Sequence, residues 1–290
     1  MQKIIVMCDS TSDLPSDYVL EKGIFVIPLY VHIGGNVYQD GVDLSPRDLY
    51  EKVEQNNSFP KTASPSPADF IQTFTPVIER GDNILFIGLS SHLSSTIHHA
   101  KLAANEFDSH RIEVVDSLNL SAGIGLLVMK AVEWNESGEC DLQELANRVR
   151  RMVPNVKTYF AVDTLNYLHK GGRCSSMQHL VGSMLRIHPI LTVEDGQINI
   201  REKIRGKRDK LIQQMVRYFK QDSQSIGTQP VLVNHSLCPE SALYLVNEIK
   251  SLSPDSTPVV TEAGCVISSH CGPGTFSLVY TKNEPDANHI

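Results

Sequence analysis

Four stretches of this chain carry their apolar residues without alternation: KIIVMC, IFVIPLYVHI, NILFIGL and RIEVVDS. A strand with one face in water alternates apolar and polar residues, whereas a strand covered on both faces does not. Covering both faces needs helices, and the intervening sequence supplies their start signals. Ser45-Pro46-Arg47-Asp48 sets a capping hydroxyl, then proline at the first helical position, then an acid three residues on. Ser66-Pro67-Ala68-Asp69 repeats the device. Buried strands alternating with capped helices predict a parallel, doubly wound sheet. The segment GGNVYQDG at 34–41 breaks that rhythm and reads as a hairpin excursion.

A helix-like run at 141–153 ends at Pro154 and Asn155, and the texture then changes. The strand-like KTYFAVDT leads through a Gly/Arg/Ser/Cys segment into PILTVEDGQINIREKI, which reads as two strands about an Asp195-Gly196 turn. A helix at 209–220, the strand QPVLVNH, a helix at 239–252 and two closing strands complete a mixed unit. The expected architecture is therefore α/β in two domains. Residues 1–155 form an N-terminal Rossmann-like sheet domain, and residues 156–290 form a C-terminal α+β domain. The terminal NEPDANHI is expected to fray.

Composition removes several functions. The net charge is −7, and no long Lys/Arg block occurs, so duplex nucleic acid is not an expected partner. The densest basic stretch, REKIRGKRDK at 201–210, contains two acids and reads first as a solvated helix start. Six cysteines (Cys8, Cys140, Cys174, Cys238, Cys265 and Cys271) lack CxxC spacing, so neither a zinc site nor a disulfide framework is expected. The N-terminal apolar run is short and meets Asp9 at once, unlike a signal peptide. The lightly charged stretch 117–129 is far below the roughly 18–20 residues that cross a bilayer. A cytoplasmic protein with reduced thiols is the expectation.

Chemistry gathers where strands hand over to helices, the edge at which ligands bind in parallel sheets. The segment SSHLSST at 90–96 is the densest: four serines and a threonine follow NILFIGL, beside His92, His98 and His99. A helix start has N–H groups without partners and about half a positive charge, so it seats an anion. One serine would suffice as a cap, and five hydroxyls exceed that need. CDSTSDLP at 8–15 and VDSLNLSAGIG at 115–125 end two further strands. Gly123-Ile124-Gly125 falls inside a helix and lacks a third glycine, so close packing outweighs a dinucleotide site. KTASPSP offers Thr62, Ser64 and Ser66, and SSHCGPGT sets His270 before a Gly-Pro-Gly turn. No G-x-S-x-G elbow, H-E-x-x-H or G-x-x-x-x-G-K-[ST] motif occurs.

Taken in order, CDSTSDLP, TASPSP, SSHLSST, VDSLNLSAGIGLLV, FAVDTLNYLHKGGR, IHPILTVEDGQI and HCGPGT resemble the DegV family of bacterial fatty-acid-binding proteins. The resemblance runs from about residue 3 to 281. The VDTL-x-YL-x-x-GGR segment and the closing H-x-GPGT are its most specific parts. It implies a DegV-like pair of domains holding one long-chain fatty acid between and within them, with no cofactor and no metal.

In the family, hydroxyls of a T-S-Q-P-S-P threonine and an L-S-G-T serine hold the carboxylate, which maps onto Thr62 and Ser94. Ser95 is then expected to add its backbone N–H, and His270 to be a further ligand. In members that serve fatty acid kinase, two basic residues help dock the kinase. They map onto Arg173, in a glycine-rich segment expected to be exposed, and onto Arg205. This chain departs at Ala63-Ser64, where the family has Ser-Gln, and at Ser95, where it has glycine. The function implied is a carrier that presents a fatty acid to a kinase for acyl-phosphate formation, with transient membrane-surface contact. The competing readings are a serine-dependent lipid ester or thioester hydrolase built on Ser94 and His270, and a lipid-responsive sensor.

Overall fold

The computed structural model describes residues 3–173, 187–226 and 229–282. Cys174 and the tail NEPDANHI lie outside the described residues. The first half runs β1 (Ile4–Asp9), α1 (Ser16–Lys22), β2 (Phe25–Ile27), β3 (Tyr30–Ile33), β4 (Asn36–Gln39), α2 (Pro46–Asn56) and β5 (Lys61–Ala63). It continues through α3 (Pro67–Glu79), β6 (Asn83–Gly88), α4 (Thr96–Ala104), β7 (Ile112–Asp116), α5 (Ala122–Ser137) and α6 (Leu142–Met152).

Strands β2-β1-β6-β7 form a parallel sheet in that order. Its two faces explain why the strands do not alternate. Ile5 and Met7 of β1 pack with Phe70 and Phe74 of α3 and Ile97 of α4. Ile4, Val6 and Cys8 of the same strand pack with Ile124 and Leu127 of α5 and Leu145 of α6. Both faces are thus apolar, as a doubly wound sheet requires. Ser45 and Ser66 each close a full capping box, with Asp48 and Asp69 reaching back to the cap N–H.

IFVIPLYVHI is not one strand. Phe25–Ile27 pairs with β1, and after Pro28 the chain leaves that sheet. Proline has no N–H to continue a ladder. Tyr30–Ile33 joins the excursion hairpin instead, in a three-stranded antiparallel sheet of order β4-β3-β5. Thr62 is carried on β5 of this small sheet, opposite Val31.

The second half contains β8 (Val156–Ala161), α7 (Asn166–Lys170), β9 (Ile187–Glu194), β10 (Gln197–Arg205) and α8 (Arg208–Ile226). It ends with β11 (Leu232–His235), α9 (Pro239–Leu252), β12 (Val259–Glu262), α10 (Cys265–Cys271) and β13 (Phe276–Thr281). These strands form a mixed sheet of order β10-β9-β8-β13-β11-β12. Asp195 and Gly196 turn the β9–β10 hairpin with φ of 50° and 77°. The basic stretch at 201–210 is strand as far as Arg205, and the helix begins only at Arg208. A seven-residue helix, α10, interrupts the two closing strands and carries His270 in its last turn.

The halves meet through an apolar seam and a polar clasp. Leu232, Val266 and Val279 share a hydrophobic cluster with Ile124, Leu127 and Val128 of α5. At the hairpin tip, Ser90 Oγ donates to the Gly196 carbonyl at 2.8 Å. A Cβ on Gly196 would stand 2.6 Å from Ser90 Oγ and 2.7 Å from the His92 ring. Gly123 and Gly125 serve close packing: Cβ atoms there would meet Asn119 Oδ1 at 2.1 Å and the Ser12 carbonyl at 2.7 Å. Among the described residues, no helix is long and apolar enough to cross a membrane.

Candidate functional site

A cavity of about 290 Å³ lies where the carboxyl edge of the parallel sheet faces the mixed sheet and α10. Leu29, Leu89, Leu93, Phe160, Leu168 and Ile198 make much of its wall. Thr62, Ser94, Ser95 and His270 all line it, as do Ser64 and Arg173. Residues far apart in the chain thus converge on one hollow. Arg205 does not line it; it stands exposed at the end of β10.

The Ser-rich handover divides its hydroxyls among separate tasks. Ser90 holds the hairpin tip. The Ser91 N–H donates to Asp116 Oδ1 at 3.3 Å. Ser94 Oγ lies 2.8 Å from Thr96 Oγ1 and accepts from the Thr96 N–H at 3.3 Å, so it caps the start of α4 while facing the cavity. Ser95 occupies the formal cap position but makes no side-chain cap bond. Its hydroxyl sits 3.0 Å from Ser64 Oγ, which in turn lies 3.2 Å from His99 Nδ1. The two departures from the family pattern therefore touch each other.

His270 is bound to Thr62, not to Ser94: Nε2 lies 2.8 Å from Thr62 Oγ1. Its other nitrogen, Nδ1, is buried without a partner among the described residues. A Cβ on Gly171 would fall 2.1 Å from that atom, so glycine is what lets the ring lie there. Gly272 and Gly274, both at φ +79°, crowd Tyr167 and Asp163 in the same way. The GGR and H-x-GPGT segments thus interlock without side chains at the points of closest approach. Burial, with the nearby Arg173 charge second, drives His270 down to about 3, so the ring is neutral at physiological pH. A neutral ring without a carboxylate behind it is a poor general base, and the Ser94–His270 pair of the hydrolase reading is not assembled. Burial also pushes the Cys271 thiol, in the same wall, up to about 12, which leaves it protonated.

Arg173 is half-buried and lines the cavity, whereas an exposed position was expected. Its Nε donates to the Leu93 carbonyl at 3.3 Å and its Nη1 to the Gly171 carbonyl at 2.5 Å. No carboxylate pairs with it among the described residues. The cavity wall therefore includes a cation whose charge no acidic side chain among the described residues balances.

A second polar cluster lies behind the wall. Asp9, Asp13 and Asp40 are all buried, and burial raises all three carboxyls, Asp9 to about 6. Asp9 accepts from the Thr11 hydroxyl and from the N–H groups of Thr11 and Leu89, at 3.0 and 2.7 Å. Asp13 accepts from the Ser121 hydroxyl at 2.5 Å and the Gly264 N–H at 2.8 Å. Asp40 accepts from the Ser10 hydroxyl at 2.9 Å and the Cys265 N–H at 2.6 Å. Asp13 of CDSTSDLP and Asp40 of GGNVYQDG thus tie the first half to the start of α10. No cluster of three or more His, Cys, Asp or Glu among the described residues could hold a metal.

A hollow walled largely by apolar side chains, with hydroxyls, His270 and Arg173 among its lining, makes this an α/β protein with a binding cavity. The chain belongs to the DegV family: that family's model, described as an uncharacterised protein family, matches residues 3–283. A DegV domain-containing protein of Caldanaerobacter subterraneus is 34% identical over 97% of this chain and 99% of its own length. One from Deinococcus radiodurans is 33% identical over 95% of this chain and 97% of its own. In structure, the chain resembles the fatty-acid-binding DegV family protein of Thermus thermophilus with a TM-score of 0.89 and 32% identity. That match covers 97% of this chain and all of the other. DegV, a fatty acid binding protein from Bacillus subtilis, matches with a TM-score of 0.88 and 28% identity over 98% of this chain.

Proposed function

We propose that this protein is a cytoplasmic carrier for one long-chain fatty acid, bound between domains spanning residues 1–155 and 156–290. The carboxylate sits at Thr62, Ser94, Ser95 and His270, and the acyl chain runs along the apolar wall. The observation that carries the reading is the cavity itself, walled largely by apolar side chains and supplied with hydroxyls and a half-buried cation. The two structural relatives, named as fatty acid binding proteins, point the same way.

The chemistry matches an amphiphile. Each buried methylene contributes about 0.8 kcal/mol, so the tail supplies most of the affinity. The head group needs only enough hydrogen bonds to offset its desolvation. With the His270 proton on Nε2, the ring donates to Thr62 Oγ1 and the unpartnered Nδ1 is a bare lone pair. That tautomer avoids a buried orphan N–H, the costlier defect. It also leaves the Thr62 hydroxyl proton free to donate to a carboxylate. Ser94 adds a hydroxyl at the start of α4, the Ser95 N–H points from the same turn, and Arg173 compensates the charge.

The carrier delivers its ligand to a partner fatty acid kinase, which converts the carboxylate to an acyl phosphate, and releases the product at a membrane surface. Arg173 and Arg205 form the docking contacts on this reading. Native mass spectrometry of the purified protein, followed by denaturing extraction, tests the carrier. One fatty acid per chain is expected. An empty protein that also fails to bind added oleate or palmitate would sink it.

A further inference from the structure

The cavity has a second polar region, carried on the mixed sheet rather than on β5, α4 and α10. On β8, β11 and β13 the side chains alternate. Tyr159, Val233, Phe276 and Leu278 face the hydrophobic cluster that includes Leu211, Met215, Ala242 and Leu245 of α8 and α9. Thr158, Asn234 and Ser277 face the other way and line the cavity, with Ser121 from the turn before α5 beside them. Asn234 and Ser277 stand directly opposite each other in the β11–β13 pairing. A floor serving only methylenes would gain from Val or Leu at these positions.

Most of the hydrogen-bonding capacity there is already used. Ser121 donates to Asp13, and Thr158 Oγ1 donates to Asn119 Oδ1 at 2.8 Å. The Asn234 amide Nδ2 donates to Thr261 Oγ1 at 2.8 Å and to Asp13 Oδ2 at 3.4 Å. Two atoms are left over. Among the described residues, nothing donates to Asn234 Oδ1. Ser277 is 6% exposed, and its hydroxyl has no partner among the described residues. An acceptor without a donor thus lies across the strand pair from a hydroxyl that can both donate and accept. A plain acyl chain satisfies neither, whereas one hydroxyl in the cavity satisfies both. It donates to Asn234 Oδ1 and accepts from Ser277, whose Oγ reorients by a single χ1 rotation.

We propose that Asn234 and Ser277 form a second polar subsite, and that the preferred ligand is a long-chain fatty acid hydroxylated part-way along its tail. The proposal rests on the fatty-acid reading of the cavity and adds the class of acid. Delipidated full-length protein is titrated with a fluorescent fatty acid, which is then displaced by stearic acid and by its positional hydroxy isomers. At least one mid-chain isomer is expected to bind about tenfold more tightly than stearic acid, the scale of one satisfied buried hydrogen bond.

Ser277→Ala removes a hydroxyl that bonds to none of the described residues, so its thermal unfolding should match that of the unaltered protein. In this variant the isomer preference should shrink to about twofold or less, while stearic acid binds as well or better. Equal affinity for stearic acid and every isomer, as an ordered water on the floor would give, overturns the subsite and leaves the carrier standing. A preference that persists undiminished in Ser277→Ala also overturns it. Failure of all the acids to bind would overturn the carrier and the subsite together.

Discussion

Two polar clusters, one buried and one partly exposed, meet at the carboxyl edge of the parallel sheet, and the protein treats them oppositely. The Asp9–Asp13–Asp40 knot is closed: hydroxyls and backbone N–H groups from both halves reach its carboxylates. The Thr62–His270–Ser94–Ser95 cluster is open, because its hydroxyls face a cavity and Arg173 beside them has no acidic partner among the described residues. Judged by unusual residue types, the knot is the more conspicuous, with three buried acids against a set of ordinary hydroxyls. Judged by unused bonding capacity, the order reverses. Buried polar groups that satisfy each other hold a fold together, and those that await a partner mark a site.

That contrast can be broken by mutation. Asp40→Ala strands the Cys265 N–H and the Ser10 hydroxyl, and each stranded buried group costs about 1–3 kcal/mol. A total loss of about 3 kcal/mol or more is expected in urea unfolding. Thr62→Val should do the converse, weakening fatty acid binding about tenfold or more while stranding only the His270 N–H, a stability loss of about 1–2 kcal/mol and smaller than that of Asp40→Ala. Equal stability losses in the two variants would abolish the distinction.

Acid titration sharpens the same comparison because the clusters carry opposite slopes. Asp9 is raised to about 6, by burial above all and also by the Asp40 charge, so the native state takes up a proton before the unfolded chain does. Its contribution is full below the ordinary carboxyl value of 3.8 and is lost as pH rises through about 6. His270, lowered by burial and by Arg173 to about 3, behaves in the reverse sense. Its contribution is present above 6.5 and is lost as pH falls toward about 3. Between pH 4 and 6, Asp9→Asn should therefore make acidification more damaging than in the unaltered protein, and His270→Gln less damaging. Each difference is expected to be on the order of 2 kcal/mol across the window in urea titrations. Changes of the same sign would refute the assignment.

The smallest effect is expected at Ser95→Gly. The substitution removes the Ser64–Ser95 contact and leaves the backbone N–H in place. Stability should fall by less than about 1 kcal/mol, and fatty acid affinity should change less than about threefold by dye displacement. A large loss would mean that the Ser95 hydroxyl itself holds the head group.

Much of the fold could be read from local signals. Capping boxes at Ser45 and Ser66, the unalternated strands and the Asp195-Gly196 turn each carry their geometry within a few residues. The split of IFVIPLYVHI at Pro28 had a visible cause, because proline interrupts a ladder, yet the run of apolar residues masked it. Helix α10 left almost no trace: CVISSHC is short, lacks a side-chain cap and is held by Asp13 and Asp40 from the other half of the chain.

The site shows the same division. Thr62, Ser94 and His270 stood out only through motifs, and nothing local foretold that His270 would bond Thr62 rather than Ser94. Arg173 was legible as a basic residue in a glycine-rich turn, but its half-buried place depends on carbonyls of Leu93 and Gly171. Asn234 and Ser277 gave no sequence signal, since each is a single small polar side chain beside apolar neighbours in its strand. Their significance lies in being opposite each other across a pairing that only the folded sheet creates.

The contact between Gly171 and His270 has a consequence for how this protein would look in a genetic screen. A saturation scan ranked by lost lipid binding would score Gly171 among the residues that touch the ligand, although it has no side chain to do so. Even the methyl of alanine would displace the imidazole. The damage would then surface two steps away, at the Thr62 hydroxyl that the ring orients. On such a map, the most intolerant position of the binding site would be an empty space.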